Sequence, residues 1–330
     1  MAVCVTDFVQ GTLMLIGLLV VPLVAYFLLP GNLTDLITQS GVTGGANAYL
    51  NPFINGDRPY TFVEIFSQLA WGFGYCGMPH VLVRFMAVRS EKELKKSWVI
   101  AIIWDLLSLT AAFAIAVIGR AYLLPTILGE NGAASSESVF IEMIRKVFTS
   151  QLALPFIGGL FLCGILAAIM STADSQLLVT ASAVSEDLYH NFIKKDADSK
   201  EILRVSRITV IVIAIIAFAI AWDPNSSIMG LVSNAWAGLG AAFGPIVVMS
   251  LFWRRTNLQG AIAGMVTGGL TVIIWDYIPL VGGQTLGTYT GLYSLAVGFL
   301  LSLVVIVIVS LLTKAPSKEI TDEFDKVAAK

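Results

Sequence analysis

The stretch Leu166–Leu178, LAAIMSTADSQLL, sets Ser171, Thr172, Asp174, Ser175 and Gln176 inside an otherwise apolar run. Read as a helix, it places Ala168, Ser171, Thr172 and Ser175 at i, i+3, i+4 and i+7, on one face. Two hydroxyl oxygens beside a backbone carbonyl form a hard-oxygen ligand set suited to a small cation such as Na⁺. Hydroxyls in apolar helices also serve as plain helix–helix contacts, worth about 0.6 kcal/mol each. Asp174 shifts that balance, because a carboxylate at bilayer depth costs on the order of 3 kcal/mol unless water or a partner meets it. The cluster therefore reads as a water-accessible face, with Asp174 on a candidate ion path.

A second stretch, Trp71-Gly-Phe-Gly-Tyr-Cys-Gly-Met-Pro79, breaks an apolar run with three glycines and a proline. Unwound backbone survives at membrane depth only where it lines a cavity or is buried in protein. Trp71, Tyr75 and Pro79 recur every four residues and share a face if the helix persists, as a binding wall would. The bland alternative is an aromatic packing stripe. Asp105, in AIIWDLLSL, has no basic partner nearby in sequence, and the residues alone leave pairing and function both open. An intramembrane aspartyl enzyme would need Asp105 and Asp174 to meet, and no protease-type flanking motif accompanies them.

The elements that must position these residues are membrane helices. The chain of 330 residues is 57% hydrophobic and 13% charged, with a mean hydropathy of +0.83. Soluble domains carry about 25% charged residues, so that class is excluded. Eight spans are expected, at about 8–29, 61–79, 97–119, 153–184, 205–222, 228–252, 258–278 and 287–313. Pro30-Gly31, Asp223-Pro224 and Gly282-Gly283 punctuate the gaps. The fourth span is long enough to put Ser171 and Thr172 near the bilayer centre. The glycines of 238–244 and 260–268 provide small faces for close helix contact.

Basic residues set the orientation. With both termini inside, only Arg58, Arg120, Arg145 and Lys146 of the 20 Lys and Arg residues fall outside. That favours cytoplasmic N- and C-termini in a plasma (inner) membrane. The loops 30–60 and 120–152 are long enough for short interfacial helices, and the tail from Lys314 reads as a solvated, weakly ordered end. The net charge of −2 and the lack of a basic stripe give no reason to expect nucleic acid. Cys4, Cys76 and Cys163 suit packing better than a disulfide set, and His80 and His190 lack a metal-ligand spacing.

Four stretches resemble the sodium:solute symporter family, most closely its sodium/proline branch: VTDFVQGTLM (5–14), WGFGYCGMPHVLVRFMAVRS (71–90), ILAAIMSTADSQLLVTASAVSEDLY (165–189) and VSNAWAGLGAAFGPIVVMSLFWRR (232–255). The resemblance implies an all-α polytopic membrane protein with a partial LeuT-like inverted-repeat fold, and a carrier that couples Na⁺ entry to uptake of a small solute, proline first. It assigns Ala168, Ser171 and Thr172 to sodium, Trp71, Tyr75 and Pro79 to the solute, and Asp7 to the sodium path. Asp105 stands where the family suggests an apolar residue. Residues 1–313 match core helices five to ten plus two peripheral helices, with 314–330 as a cytoplasmic tail. Phe8–Leu29 corresponds to the fifth core helix, so the resemblance implies a C-terminal portion whose partners are the missing N-terminal helices, Na⁺, proline and lipid. No group in such a carrier does covalent chemistry, and the chief alternatives are another solute or a non-transporting membrane subunit.

Overall fold

The computed structural model describes residues 2–123, 136–222 and 227–328. Long apolar runs form helices because hydrocarbon offers backbone N–H and C=O groups no partners but each other. Helix α1 (Ala2–Phe27) is followed by the short α2 (Leu33–Gln39) and α3 (Gly45–Tyr49), then by an antiparallel pair, β1 (Ile54–Asn55) with β2 (Arg58–Pro59). Next come α4 (Phe62–Leu69), α5 (Trp71–Gly74), α6 (Pro79–Met86) and the continuous α7 (Glu91–Tyr122). Beyond it lie α8 (Val139–Ile144), α9 (Pro155–Ser182), which runs on as a π-helical segment to Ile193, α10 (Ser199–Ala221), α11 (Ile228–Phe252) and α12 (Leu258–Tyr277). A second antiparallel pair, β3 (Pro279–Val281) with β4 (Gln284–Thr285), leads to α13 (Leu286–Thr290), α14 (Ser294–Leu312) and α15 (Lys318–Ala328). Among the described residues, α1, α7, α9, α10, α11, α12 and α14 are long and apolar enough to cross a membrane. This is an all-α polytopic membrane protein.

The expected span 61–79 is not one helix. Thr61 starts α4 with a reciprocal capping box: its hydroxyl accepts from Glu64 N, and its own N–H donates to the Glu64 carboxylate. The helix then passes through α5 into a 3₁₀ turn at Tyr75–Gly77 and breaks at Met78, whose backbone is extended (φ −86°, ψ 112°). Proline disfavours helical backbone in the residue before it, and Pro79 itself begins α6 at a position where its missing N–H costs nothing. The last span also starts later than expected, because Gly291, at φ 66°, ends α13 before Ser294 opens α14. The tail is more ordered than its charge alternation suggests: α15 forms, and Arg254 grips the Asp325 carboxylate with two hydrogen bonds of 2.8 and 2.6 Å. Pro30-Gly31 follows α1, and Gly282-Gly283, both at positive φ, turns β3 into β4. Asp223-Pro224 lies outside the described residues.

The chain divides into two compact units, residues 1–59 with 88–227 and residues 60–87 with 228–330. In the first, α1 packs against α7 and α9. Val21, Ala25, Ile115, Met143, Ile144 and Phe161 are buried together there. Gly17 faces Phe161 and Gly164 faces Leu13, so α1 and α9 run antiparallel. Gly11 lies against Trp104 of α7. The short α2 and α3 cover the end of α7 through Ile37, Ala46, Val117 and Ala121, and Arg120 Nε donates to Ser40 Oγ at 3.0 Å. No residue of α10 is buried, and its exposed Ile208, Ile211, Ile215 and Phe218 are the apolar surface expected where lipid is the solvent.

In the second unit, α12 and α14 lie close because Gly260 and Gly264 leave room for Ser310 and Ile306, while Gly268 meets the Ala241 carbonyl of α11. Asn257 caps α12 through Gly260 N at 2.8 Å and donates to Thr313 Oγ1 and the Lys314 carbonyl, both at 2.7 Å, tying two helix ends together. The interrupted 71–79 segment presses its backbone onto α11. A Cβ on Gly77 would stand 2.6 Å from the Leu239 carbonyl oxygen and 2.8 Å from Gly240 Cα. Gly77→Ala is therefore expected to cost about 1–3 kcal/mol through forced separation of backbones. Gly72, with nothing within 4 Å of an added Cβ, should accept alanine without loss. Thermal unfolding of both variants in lipid nanodiscs checks this pair, and equal stability would show that the close approach is not needed.

Candidate functional site

The cluster that opened the sequence argument lies within α9, and the helix passes through it without a break. Thr172 Oγ1 donates to the Ala168 carbonyl at 3.2 Å, and Ser175 Oγ donates to the Ser171 carbonyl at 3.0 Å. Oxygens that bind a hard cation of this size lie about 2.4 Å from it, which sets neighbouring ligands about 3.4 Å apart in an octahedral shell. The Ala168–Thr172 pair has that spacing. Ser171 Oγ makes no hydrogen bond among the described residues, so its lone pairs are free to ligate. The spacing alone is not diagnostic, since Thr12, Thr180 and Thr209 bond back to their own helices in the same way.

What sets the Ala168–Thr172 pair apart is its neighbour helix. Continuing the antiparallel α1–α9 register beyond Leu13 and Gly164 brings Gln10 level with Ala167–Ala168 and Asp7 level with Met170–Ser171. Asp7 Oδ1 and Gln10 Oε1 are both enclosed and without a hydrogen-bond partner among the described residues. Two orphaned oxygens at the level of a carbonyl–hydroxyl pair are what a cation-binding face would leave unsatisfied. Gln10 carried no assignment in the sequence reading. Its signal was its place three residues after Asp7, on the same helix face. Asp174 and Asp105 are both exposed and share no hydrogen bond among the described residues, so the carboxylate dyad that an aspartyl enzyme needs is not formed among them.

Trp71, Tyr75 and Pro79 belong to the other unit. Trp71 stacks with Trp236 of α11 (centroids 5.5 Å, 14° between planes) and with Tyr293 (6.0 Å, 13°). Tyr75 meets Trp236 edge-on at 4.9 Å. Trp236 Nε1 donates to the Trp71 carbonyl at 2.9 Å, and Tyr293 OH donates to the Ser233 carbonyl at 2.7 Å. Gly74 lies directly under the Trp236 indole, where no side chain fits. Trp71 and Tyr75 thus share Trp236, whereas Pro79 sits past the turn, at the first position of α6 and outside the stack. Trp71 is only partly exposed, while Tyr75 is 54% exposed and offers its ring. Trp236 and Tyr293 were missed by sequence reasoning because they lie more than 150 residues from Trp71 along the chain.

Comparison with known proteins bears on both faces. Residues 1–268 match the sodium:solute symporter family. The chain is 42% identical over 318 residues to the osmoregulated proline transporter OpuE of Bacillus subtilis, covering 96% of this chain and 60% of that protein. It is 40% identical over 328 residues to the high-affinity proline transporter PutP of the same organism, covering 98% and 64%. Sodium/proline symporter 2 of Staphylococcus saprophyticus is 41% identical over 330 residues, covering 99% and 61%. The chain therefore spans about three fifths of the length of these relatives. With most of its residues matched, the chain belongs to the sodium:solute symporter family.

Proposed function

We propose that this chain carries one wall of a sodium site and the aromatic wall of a solute site in a sodium-coupled importer of proline. The observation that carries the reading is the meeting of Ala168 O and Thr172 Oγ1 with the level of the orphaned Asp7 and Gln10 oxygens. The names of the relatives supply proline and sodium as the cargo. Na⁺ entering along Asp7 and Asp174 would take the Ala168 carbonyl and the Thr172 and Ser171 hydroxyls as ligands. These are at most three oxygens, and a hard cation of this size takes about six or more. The family resemblance assigns the rest of the shell to the first core helix, in a LeuT-like inverted-repeat architecture. Tyr75 would cover the apolar ring of the solute, with Trp71 and Pro79 beside it and Trp236 holding the interrupted backbone in place. No step requires a covalent change, and transport proceeds by alternating access around sites near the bilayer midplane.

The same reading places the protein in the plasma membrane with both termini in the cytoplasm, on the distribution of Lys and Arg. In a background free of Cys4, Cys76 and Cys163, a cysteine at Asp57 should react with an impermeant maleimide on intact cells. One at Asp196 should react only after permeabilisation. The reverse pattern would overturn the orientation. Solute identity is tested by labelled proline uptake in transport-null cells against excess unlabelled amino acids. Proline and its ring analogues should compete, and equal competition by open-chain amino acids would sink the assignment.

A further inference from the structure

Within the second unit a cavity of about 400 Å³ lies among the end of α4, α5, the start of α11, the end of α12 and the turn into α14. Gln68, Trp71, Asn234, Asp276, Tyr293 and Ser294 are among its lining residues. Among the described residues Asp276 is the only carboxylate in that lining, and no Lys or Arg of theirs lines it. Its Oδ2 accepts a hydrogen bond from Ser294 Oγ, and it has no ion-pair partner among the described residues. A half-buried carboxylate with one hydrogen-bond donor and no cation beside it is a ready counter-ion for a ligand that brings one. The remaining walls suit one kind of cation. The Tyr293 hydroxyl, which donates to the Ser233 carbonyl, keeps a lone pair that can accept from an organic ammonium, and Gln68 and Asn234 add amide donors for a carboxylate.

We propose that this cavity is an antechamber subsite for a protonated secondary amine, the cyclic ammonium of a zwitterionic amino acid, with Asp276 as its counter-ion. It rests on the reading of the chain as part of a proline carrier. Under the orientation proposed above, it opens at the outer end, beside the β3–β4 turn. Solute would dwell there with its ammonium on Asp276 before passing to the exposed ring of Tyr75. The subsite needs no residue of the first unit, so it should bind without Na⁺.

The purified chain in lipid nanodiscs tests this through the indole fluorescence of Trp71 and Trp236. L-proline and protonated pyrrolidine should bind in Na⁺-free buffer, and tetrahydrofuran-2-carboxylate, which keeps the ring and the carboxylate but lacks the ammonium, should bind at least tenfold more weakly. Asp276→Asn should lose about tenfold in affinity for both amines, because the opposite charge is gone. Asp276→Glu should retain most of it, which separates charge recognition from damage to the fold. Equal affinity of the wild type and Asp276→Asn, or binding of the ring-oxygen acid as tight as proline, would overturn the subsite. Uptake separates this from the carrier reading: Na⁺-driven proline uptake with an unchanged half-saturation in Asp276→Asn sinks the subsite alone. Asp276-dependent binding in a chain whose proline flux ignores Na⁺ sinks the carrier reading alone.

Discussion

Thr172→Ala should raise the Na⁺ concentration that half-saturates proline uptake by about tenfold or more. The substitution removes one oxygen from a charged ligand shell, a loss of about 1.5–3 kcal/mol for a contact to a full charge, and each 1.4 kcal/mol is tenfold in an equilibrium constant. Proline affinity at saturating Na⁺ should change much less. Thr172→Ser keeps the oxygen and should restore most of the Na⁺ affinity. Thr180→Ala removes a hydroxyl that makes the same back-bond, to Gln176 O at 2.8 Å, but lies more than two turns beyond the level of Asp7. It should leave Na⁺ dependence unchanged. If Thr172→Ala and Thr180→Ala behave alike, the polar face of α9 is packing glue and the sodium assignment fails.

The second large effect belongs to Trp236. Trp236→Ala removes a stacked partner of Trp71, the edge contact to Tyr75 and the hydrogen bond to the Trp71 carbonyl. Each ring pair is worth about 0.5–1.5 kcal/mol beyond area burial, and the truncation also opens a cavity. Proline half-saturation should rise more than tenfold, and thermal stability should fall with it. Trp236→Phe keeps a ring in the stack but cannot donate to Trp71, so it should lie between. Tyr75→Ala differs in kind. Its ring is more than half exposed, so solute affinity should fall with little change in unfolding temperature. Parallel losses of affinity and stability at Tyr75 would mark it as scaffold.

Much of this was legible in the sequence, for physical reasons. Hydrocarbon enforces helices, so the long apolar runs gave their class and approximate ends. The Gly-rich stretch before Pro79 announced a broken helix, because no tertiary contact is needed for proline to exclude helical backbone at Met78. What the sequence could not supply was pairing. The antiparallel α1–α9 register that levels Asp7 and Gln10 with Ala168–Ser171 depends on where Gly17 meets Phe161 and Leu13 meets Gly164. No local pattern encodes that match. The same holds for Trp236 and Tyr293, whose roles exist only once Gly74 and Gly77 allow the interrupted segment to lie on α11. The tail was misjudged because its charges were read as solvation, whereas Arg254 supplies Asp325 with a two-bond partner from the α11–α12 turn. The late start of α14 followed from Gly291, a position whose left-handed backbone an apolar profile does not register.

The proposal stands on this chain supplying one wall of the sodium site and the aromatic wall of the solute site in a sodium-coupled proline carrier. Its most direct measurement is labelled L-proline uptake in transport-null cells as a function of external Na⁺, with choline making up the ionic strength. The chain is expressed alone and joined to the part of Bacillus subtilis PutP that it does not cover. Uptake by the joined protein should rise steeply with Na⁺, its sodium half-saturation should shift with Thr172→Ala, and its proline half-saturation should shift with Tyr75→Ala. Proline flux through the joined protein that is indifferent to Na⁺, or that responds to neither substitution, would contradict the proposal.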